Sequence, residues 1–316
     1  MTDDKGSGPV DASPPVSVGT VGGSGWRSSE PVVVGRPGPV FEPVVVGADY
    51  RPAPYRGDTV IDGWMSDSFV VRAATVRGYS HRYYGEPRQD DFAVASRTDG
   101  RLLAAVADGV SAARQSHVGS TVAVRYAMQW LAAGVADPTG ATDWEELVSG
   151  AAWALVEHAA AVFGIRKSAE EAEPLVATTL VCAVVDPDPD GGAVAHVTGI
   201  GDSAAWVLGS GGFTRVEGGK EDPADGISSS AVVGLPRVPA GVDATVVMIE
   251  PDEVLLLGTD GFGDPLGSGG GEVGRLFSET LGNGRVPSLI EFAHKLDFSR
   301  ETFDDDRTLV AVWPRT

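Results

Sequence analysis

Five short acidic motifs, each directly beside an apolar run, constrain the fold of this chain more than any other feature of its 316 residues. Such apolar runs are typical of buried β-strands, and a strand keeps acidic side chains out of its buried interior. Acids at strand ends therefore collect at the rims of sheets, and several at one rim would form a site for hard cations such as Mg²⁺ or Mn²⁺. In chain order, the motifs are Gln89-Asp90-Asp91, Asp108-Gly109 after Leu102–Ala107, Asp202-Ser203 after His196–Gly201, Thr259-Asp260-Gly261 after Val254–Gly258, and Asp304-Asp305-Asp306 before Thr308–Trp313.

The order and spelling of these motifs resemble those of the metal-dependent serine/threonine protein phosphatases (the PPM, or type 2C, family). The resemblance extends from about Ser68 to Trp313 and includes Ala177-Thr178-Thr179-Leu180, which is similar to the family's Gly-Thr-Thr strand start. The residues from Gly78 to Asp90 are similar to a bacterial branch of the family. The resemblance implies an α+β fold, a four-layer αββα sandwich in which two antiparallel β-sheets are flanked by helix pairs.

The resemblance also implies a set of metal ligands for two Mn²⁺ or Mg²⁺ ions. Asp108 matches the carboxylate that bridges the ions, and Gly109 matches the glycine whose backbone carbonyl is a ligand. Asp260 and Asp305 match the aspartates that complete the shell of the first ion. Asp90 matches the acid that holds metal-bound water.

A third, weaker ion is implied by two further acids. Asp202 and Asp264 match the carboxylates that hold this ion in bacterial members, and the alternative for Asp202 is a turn that orders the strand ends. The neighbouring acids Asp91, Asp304 and Asp306 are expected to orient ligands or to be solvated.

The resemblance also implies catalytic roles for Asp108 and Asp260. Departures from the family pattern bear on the other two catalytic candidates, Arg88 and His81. Gly85 stands where the family usually has its phosphate-binding arginine, so Arg88 is predicted to bind the phosphate, with Arg82 as another nearby substitute. His81 is predicted either to meet the phosphate or leaving group or to brace its loop. Gln89 replaces a frequent glutamate, which predicts weaker binding of the second ion.

The resemblance therefore implies a metal-dependent protein phosphatase that hydrolyses phosphoserine and phosphothreonine esters by attack of a metal-bridging water. Its expected partner is a phosphoprotein, the substrate of a serine/threonine kinase in bacterial signalling. One alternative is a non-catalytic or weakly active regulator that binds phosphoproteins, which Gln89 and Gly85 favour and a full metal cage disfavours. Another is a different two-metal hydrolase, such as a phosphodiesterase or nuclease, which the acidic balance disfavours.

The composition limits the remaining partners. A net charge of −20 argues against nucleic acid and anionic membrane surfaces as partners. No uninterrupted apolar stretch approaches the length of a membrane span, and no hydrophobic signal region follows Met1, so a cytoplasmic location is expected. The single cysteine, Cys182, lies in an apolar run and is expected to be a buried thiol.

The amino-terminal segment differs in composition from the rest. Residues 1–60 contain 9 Pro and 10 Gly, and such a segment buries too little apolar surface to offset its chain entropy. We therefore predict a disordered tail over residues 1–65 and a catalytic domain over residues 66–316. Within the tail, Glu30–Gly35 recurs as Glu42–Gly47. The repeated Pro-Val-Val-Val could add a strand to a protein partner or to the domain itself, or the repeat is a duplicated linker.

The apolar patterns place the elements of the domain as follows. Strands are predicted at 69–76, 92–96, 102–107, 178–185, 193–200, 204–208, 244–250, 253–257 and 308–313. Helices are predicted at 116–134, from a capping box at 142–145 onward, at 271–282 and at 287–296. The segment 215–241 matches the position of the family's flap, where substrate selectivity is expected.

Overall fold

A computed structural model describes residues 32–38, 57–134, 142–219, 233–282 and 284–315. The elements follow one another in the order β1 (Thr59–Asp62), β2 (Phe69–Val76), α1 (Tyr79–Tyr84), β3 (Asp91–Ser96), β4 (Leu102–Ala107), α2 (Ser116–Ala133), α3 (Trp144–Phe163), α4 (Ala169–Val176), β5 (Leu180–Pro187), β6 (Ala193–Ile200), β7 (Ala204–Gly209), β8 (Gly212–Gly218), β9 (Thr245–Ile249), β10 (Val254–Gly258), α5 (Asp260–Leu266), α6 (Glu272–Leu281), α7 (Leu289–Leu296) and β11 (Arg307–Pro314).

The strands form two sheets in which every pairing is antiparallel. One sheet has six strands in the order β1-β2-β11-β10-β7-β8, and the other has five in the order β3-β4-β5-β6-β9. Side chains from both sheets share one buried apolar cluster, so the sheets pack face to face. Helices α2–α4 cover the outer face of the five-stranded sheet, and α5–α7 cover that of the six-stranded sheet. This arrangement confirms the predicted αββα sandwich.

Strand β4 is apolar at every position because both of its faces are buried. Leu103, Ala105 and Ala107 pack against the helices, whereas Leu102, Ala104 and Val106 pack between the sheets. A strand buried on both faces has no position for a polar side chain until it ends. The neighbouring strand β5 buries Cys182 completely, and this burial raises the pKa of its thiol to about 12, so the thiol stays protonated.

A chain of aromatic rings fixes α5 beneath the six-stranded sheet. Phe262 lies edge-on to Trp206, with ring centroids 5.5 Å apart, and edge-on to Phe277, with centroids 5.0 Å apart. Each of these side chains is 5 % exposed or less. Because Phe262 lies two residues after Asp260, the apolar core determines where the first turn of α5 points.

Several elements depart from the sequence-based expectations. Helix α3 is capped by Asp143, whose carboxylate accepts the Glu146 N–H at 2.9 Å, one residue later than the predicted Thr142 cap. Residues 215–218, at the start of the predicted flap, belong to strand β8, which pairs with β7, and residues 220–232 lie outside the described residues. The short elements β1, α1, α4 and α5 had no periodic signal long enough to predict them. None of the described helices has the length and apolar character needed to cross a membrane.

Two segments on the amino-terminal side of residue 66 lie on the domain. Strand β1 pairs with β2 from Thr59 opposite Val76 to Asp62 opposite Ala73. Residues 32–38 run beside Ser299, and Val34 is only 6 % exposed. The domain therefore includes residues that the sequence assigned to the tail. The second Pro-Val-Val-Val copy and the rest of the predicted tail lie outside the described residues.

Candidate metal centre

The two sheets present their acidic motifs at a common rim. Asp108 follows β4, Asp202 comes two residues after β6, and Asp260 comes two residues after β10 as the first residue of α5. Because β4 and β6 belong to one sheet and β10 to the other, the rim is shared by both sheets. The pKa of Asp108 lies well above its usual range because of burial and, in decreasing order, the charges of Asp90, Asp260 and Asp305.

Three of these acids form one compact cluster. Asp108, Asp202 and Asp260 each offer a carboxylate oxygen, and these oxygens all lie within 4.8 Å of one another. Asp202 is 9 % exposed, and the other two are partly exposed. Like charges this close together in a poorly solvated place repel strongly. A set of three hard oxygen donors this close together fits a divalent cation.

A second cluster lies at the same rim and contains His81, Asp305 and Asp306 within the same 4.8 Å limit. Asp306 is 2 % exposed, forms an ion pair with His81 Nδ1 at 2.9 Å, and accepts the Gly78 backbone N–H at 2.6 Å on Oδ1. Its Oδ2 accepts the backbone N–H of Gln89. Burial alone would raise the pKa of Asp306, but His81 and these backbone donors hold it below its usual value. Asp306 therefore serves as a hydrogen-bond acceptor that anchors neighbouring segments.

Asp305 differs from Asp306 in its electrostatic surroundings. Burial and the charges of Asp306 and Asp260 raise the pKa of Asp305 to about 6, with His81 acting in the opposite direction. The contribution of Asp260 shows that the two clusters are electrostatically linked. A cation near Asp305 and Asp260 would relieve this repulsion.

Asp90 joins the acidic rim to the six-stranded sheet. Its side chain is 3 % exposed, and its Oδ2 accepts the hydroxyls of Thr259 and Thr308, each at 2.8 Å. The pKa of Asp90 is raised well above its usual value by burial and then by Asp306 and Asp305. Thr259 immediately precedes Asp260, so Asp90 also holds the start of α5 in place.

Two threonines just before β5 hold the Asp108 backbone. Its N–H donates to Thr179 Oγ1 at 2.9 Å, and its carbonyl accepts the Thr178 hydroxyl and the Thr179 N–H, both at 2.8 Å. Thr179 Oγ1 in turn lies 2.6 Å from Ser203 Oγ, next to Asp202. The Thr-Thr motif seen in the sequence thus connects two members of the carboxylate cluster.

Close packing against α2 explains why residue 109 is a glycine, and the sequence did not reveal this contact. A Cβ added at this residue would lie 2.7 Å from Ser116 Cβ and 2.9 Å from the Gln89 carbonyl oxygen. The first turn of α2 therefore approaches the backbone after Asp108 too closely for any side chain.

His81 occupies a bracing position. It is 7 % exposed, its Nδ1 contacts Asp306, and its Nε2 lies 3.1 Å from the Gln89 amide. Burial alone would lower the pKa of His81, but Asp306, Asp305 and Glu86 raise it to about 10. Gln89 also contacts the Ser116 hydroxyl at 2.7 Å, so its side chain connects His81 to α2.

The predicted phosphate-binding residues are less accessible than expected. Arg88 is 2 % exposed and its guanidinium nitrogens are shielded from water, so phosphate binding there requires the side chain to become accessible. Arg82 forms ion pairs with Asp58 at 3.4 Å and with Asp297 at 3.1 Å, which assigns it to the structure. Asp264 is exposed and lies outside both clusters, although the sequence paired it with Asp202.

Sequence reasoning missed the two hydroxyl groups that donate hydrogen bonds to Asp90. Thr259 and Thr308 are 169 and 218 residues away from it along the chain. Each stands beside an acidic motif, which is the only local signal that would have drawn attention to them. The Gln89–Ser116 contact had no sequence signal.

Solved structures share this architecture. The serine/threonine phosphatase Stp1 from Staphylococcus aureus matches with a TM-score of 0.55 and 17 % identity, over 83 % of this chain and all of that one. RsbX in complex with magnesium matches with a TM-score of 0.53 and 12 % identity, over 81 % of this chain and all of that one. PppA from Pseudomonas aeruginosa matches with a TM-score of 0.52 and 16 % identity, over 78 % of this chain and 98 % of that one. At these identities the likeness establishes a shared fold.

The αββα sandwich with a carboxylate rim across both sheets defines the class of metal-dependent protein phosphatases. The model of one family, described as Protein phosphatase 2C, matches residues 77–288. The chain belongs to this family. A comparison with curated protein sequences found no match.

Proposed function

We propose that the protein removes phosphate from phosphoserine and phosphothreonine side chains of proteins, with Mn²⁺ or Mg²⁺ ions held at the carboxylate rim. The observation that carries this proposal is the cluster of Asp108, Asp202 and Asp260, whose oxygens lie within 4.8 Å of one another. Family membership supplies the reaction class, and the hard oxygen donors favour these two metals over softer ones.

The proposed ligands are Asp108, Asp260 and Asp202, with Asp305 beside them and the carbonyl of Gly109 as a further donor. When bound, the ions supply Lewis acidity, neutralise phosphoryl charge and lower the pKa of water toward about 7. Asp108 is the central ligand, because its carboxylate interacts with the acids of both clusters.

The other residues of the rim orient these ligands. Asp306, held by His81 and by two backbone N–H groups, fixes the segment that carries Asp305. Asp90 fixes the start of α5 through Thr259 and so sets the position of Asp260. His81 is proposed as a bracing residue, since both of its ring nitrogens face protein groups.

A non-catalytic or weakly active regulator that binds phosphoproteins is a second candidate. Gly85 ends α1 with a φ of 70°, a left-handed conformation in which an arginine would be strained. Together with the shielded Arg88, this leaves the phosphate-binding role without an accessible arginine among these candidates. Weak phosphate binding and slow turnover would follow.

The test is hydrolysis of p-nitrophenyl phosphate and of a phosphothreonine peptide by the full chain, with Mn²⁺, with Mg²⁺ and with EDTA. We expect hydrolysis with either metal and none with EDTA, and turnover by Asp108→Asn that is lower by more than ~100-fold. Robust turnover after chelation would overturn the metal-dependent mechanism. Metal-independent binding of the phosphopeptide without hydrolysis would favour the second candidate.

A further inference from the structure

Residues 32–38, here called the strap, contact the loop that leads to the acidic rim through one parallel β-bridge, between Val33 and Ser299. The Val34 N–H donates to the Ser299 carbonyl at 3.0 Å, and the Ser299 N–H donates to the Val32 carbonyl at 2.7 Å. The Glu301 N–H donates to the Arg36 carbonyl at 2.9 Å. These bonds satisfy the backbone N–H groups of residues 299 and 301 in the loop between α7 and β11.

The side chains of the strap alternate as in a half-buried strand. Val34 is 6 % exposed and belongs to the apolar cluster that contains Phe277 and Phe298, whereas Val33 is 51 % exposed. Gly35 then adopts a φ of 70°, the left-handed region, directly after Val34. The sequence Val-Val-Val-Gly thus supplies both the buried anchor and the turn that follows it.

The loop beneath the strap holds a constrained turn at residues 300–303. Thr302 has a φ of 68° and is the only residue other than glycine with positive φ in the described ranges. Such a conformation persists when surrounding contacts hold it. The Phe303 N–H donates to the Arg300 carbonyl at 3.2 Å, and Arg300 Nη1 donates to the Pro265 carbonyl of α5 at 2.9 Å.

This turn connects the strap to the proposed ligands. Asp305 lies two residues after the turn, and Asp260 is the first residue of the helix that Arg300 contacts. The strap is therefore paired with a loop that has two connections to the proposed ligands. The loop leads directly to Asp305, and its residue Arg300 contacts the helix that begins at Asp260.

We propose that the strap is a positioning element of the metal centre, which holds the 300–303 turn so that Asp305 stays beside Asp260. The inference rests on the proposed function, because it takes Asp305 to be a metal ligand. The strap would then tune metal affinity from outside the carboxylate cluster.

The experiment compares Val34→Asp with Val33→Asp in the full chain, since the two positions are neighbours that differ in burial. Mn²⁺ affinity is measured by calorimetry, and protection of the Ser299 and Glu301 amides by hydrogen exchange. We expect Val34→Asp to remove this protection and to weaken Mn²⁺ binding by about tenfold, the usual effect of losing a group that orients a ligand. Val33→Asp and Val34→Ile should match the natural protein in both measurements.

Two truncations and one double mutant complete the test. A chain that begins at Val32 keeps the strap and should bind Mn²⁺ normally, whereas removal of residues 1–38 should reproduce Val34→Asp. If Val34→Asp does not fold, Val34→Ala replaces it. The losses of Mn²⁺ affinity in Val34→Asp and Asp305→Asn should not add, because both act on one ligand.

Loss of amide protection with unchanged Mn²⁺ affinity would overturn the proposal and leave the strap a stabilising strand. Unchanged protection in Val34→Asp would show that the strap is not docked. Failure of the proposed function is distinguishable from both, because the unaltered full chain would then neither bind Mn²⁺ nor hydrolyse p-nitrophenyl phosphate.

Discussion

At the scale of single residues, neighbouring carboxylates of the rim have opposite electrostatic environments. Burial and nearby acids raise the pKa values of Asp90 and Asp108, whereas His81 and backbone donors lower that of Asp306. Ionisation of Asp90 and Asp108 without a cation is therefore unfavourable, whereas ionisation of Asp306 is favoured. This contrast separates acids that a cation would relieve from an acid that orients its neighbours.

Asp108→Asn is expected to lower turnover of p-nitrophenyl phosphate by more than ~100-fold, because the metal contribution to charge stabilisation is worth several kcal/mol. The same change relieves repulsion, so the metal-free variant should melt higher, by about 2–4 °C for each kcal/mol relieved. Thermal melting with EDTA and kinetics with Mn²⁺ measure the two effects. Asp252→Asn, in the exposed turn before β10, is the matched control and should change neither. A lower melting temperature for Asp108→Asn would contradict the repulsion argument.

The carboxylate clusters also predict that Asp202 and Asp264, which the sequence treated as a pair, contribute unequally to metal binding. Asp202→Ala should raise the Mn²⁺ concentration needed for half-maximal activity more than Asp264→Ala does, because only Asp202 lies in the cluster with Asp108 and Asp260. Activity measured over a series of Mn²⁺ concentrations gives the comparison. Equal effects of the two variants would place Asp264 at the same ion.

At the scale of elements, the start of α2 is fitted against the end of β4. The Gly109→Ala variant should lose about 1–3 kcal/mol of unfolding free energy, because its Cβ would lie 2.7 Å from Ser116 Cβ. Denaturant unfolding measures the loss, and Ser116→Gly should recover part of it in the double variant. The control is Gly211→Ala, where an added Cβ meets no atom within 4 Å. Equal stability of Gly109→Ala and the natural protein would show that the two elements separate easily.

At the scale of the whole molecule, the proposed ion links the two sheets. Asp108 and Asp202 follow strands of the five-stranded sheet, and Asp260 follows a strand of the six-stranded sheet. Mn²⁺ should therefore raise the melting temperature, with about 2.7 kcal/mol gained when its concentration is 100 times its dissociation constant. Melting curves over a Mn²⁺ series measure this gain, which Asp108→Asn should abolish. A melting temperature independent of Mn²⁺ would mean that the folded state does not bind the ion preferentially.

Much of the fold was predictable because its signals are local. Strands β2, β4 and β6 have the predicted bounds, since each is a mostly apolar run that is flanked by polar residues or glycine. Helices α2 and α3 were predictable from their length and apolar spacing. The six-residue helix α1 and the short strand β1 were not predictable, because their stability comes from contacts with distant segments.

The sequence by itself determined which residue types stand at the ends of the strands, and hence that acids would collect at a rim. Only the tertiary structure decided which acids meet. It groups Asp108 and Asp260 with Asp202, and it surrounds Asp306 with donors, because the packing of one sheet on the other sets the distances between side chains far apart in the chain. It also decided that Val34 belongs to the domain. An apolar triplet can pair with any exposed strand edge, and its partner at Ser299 is present only after the chain has folded.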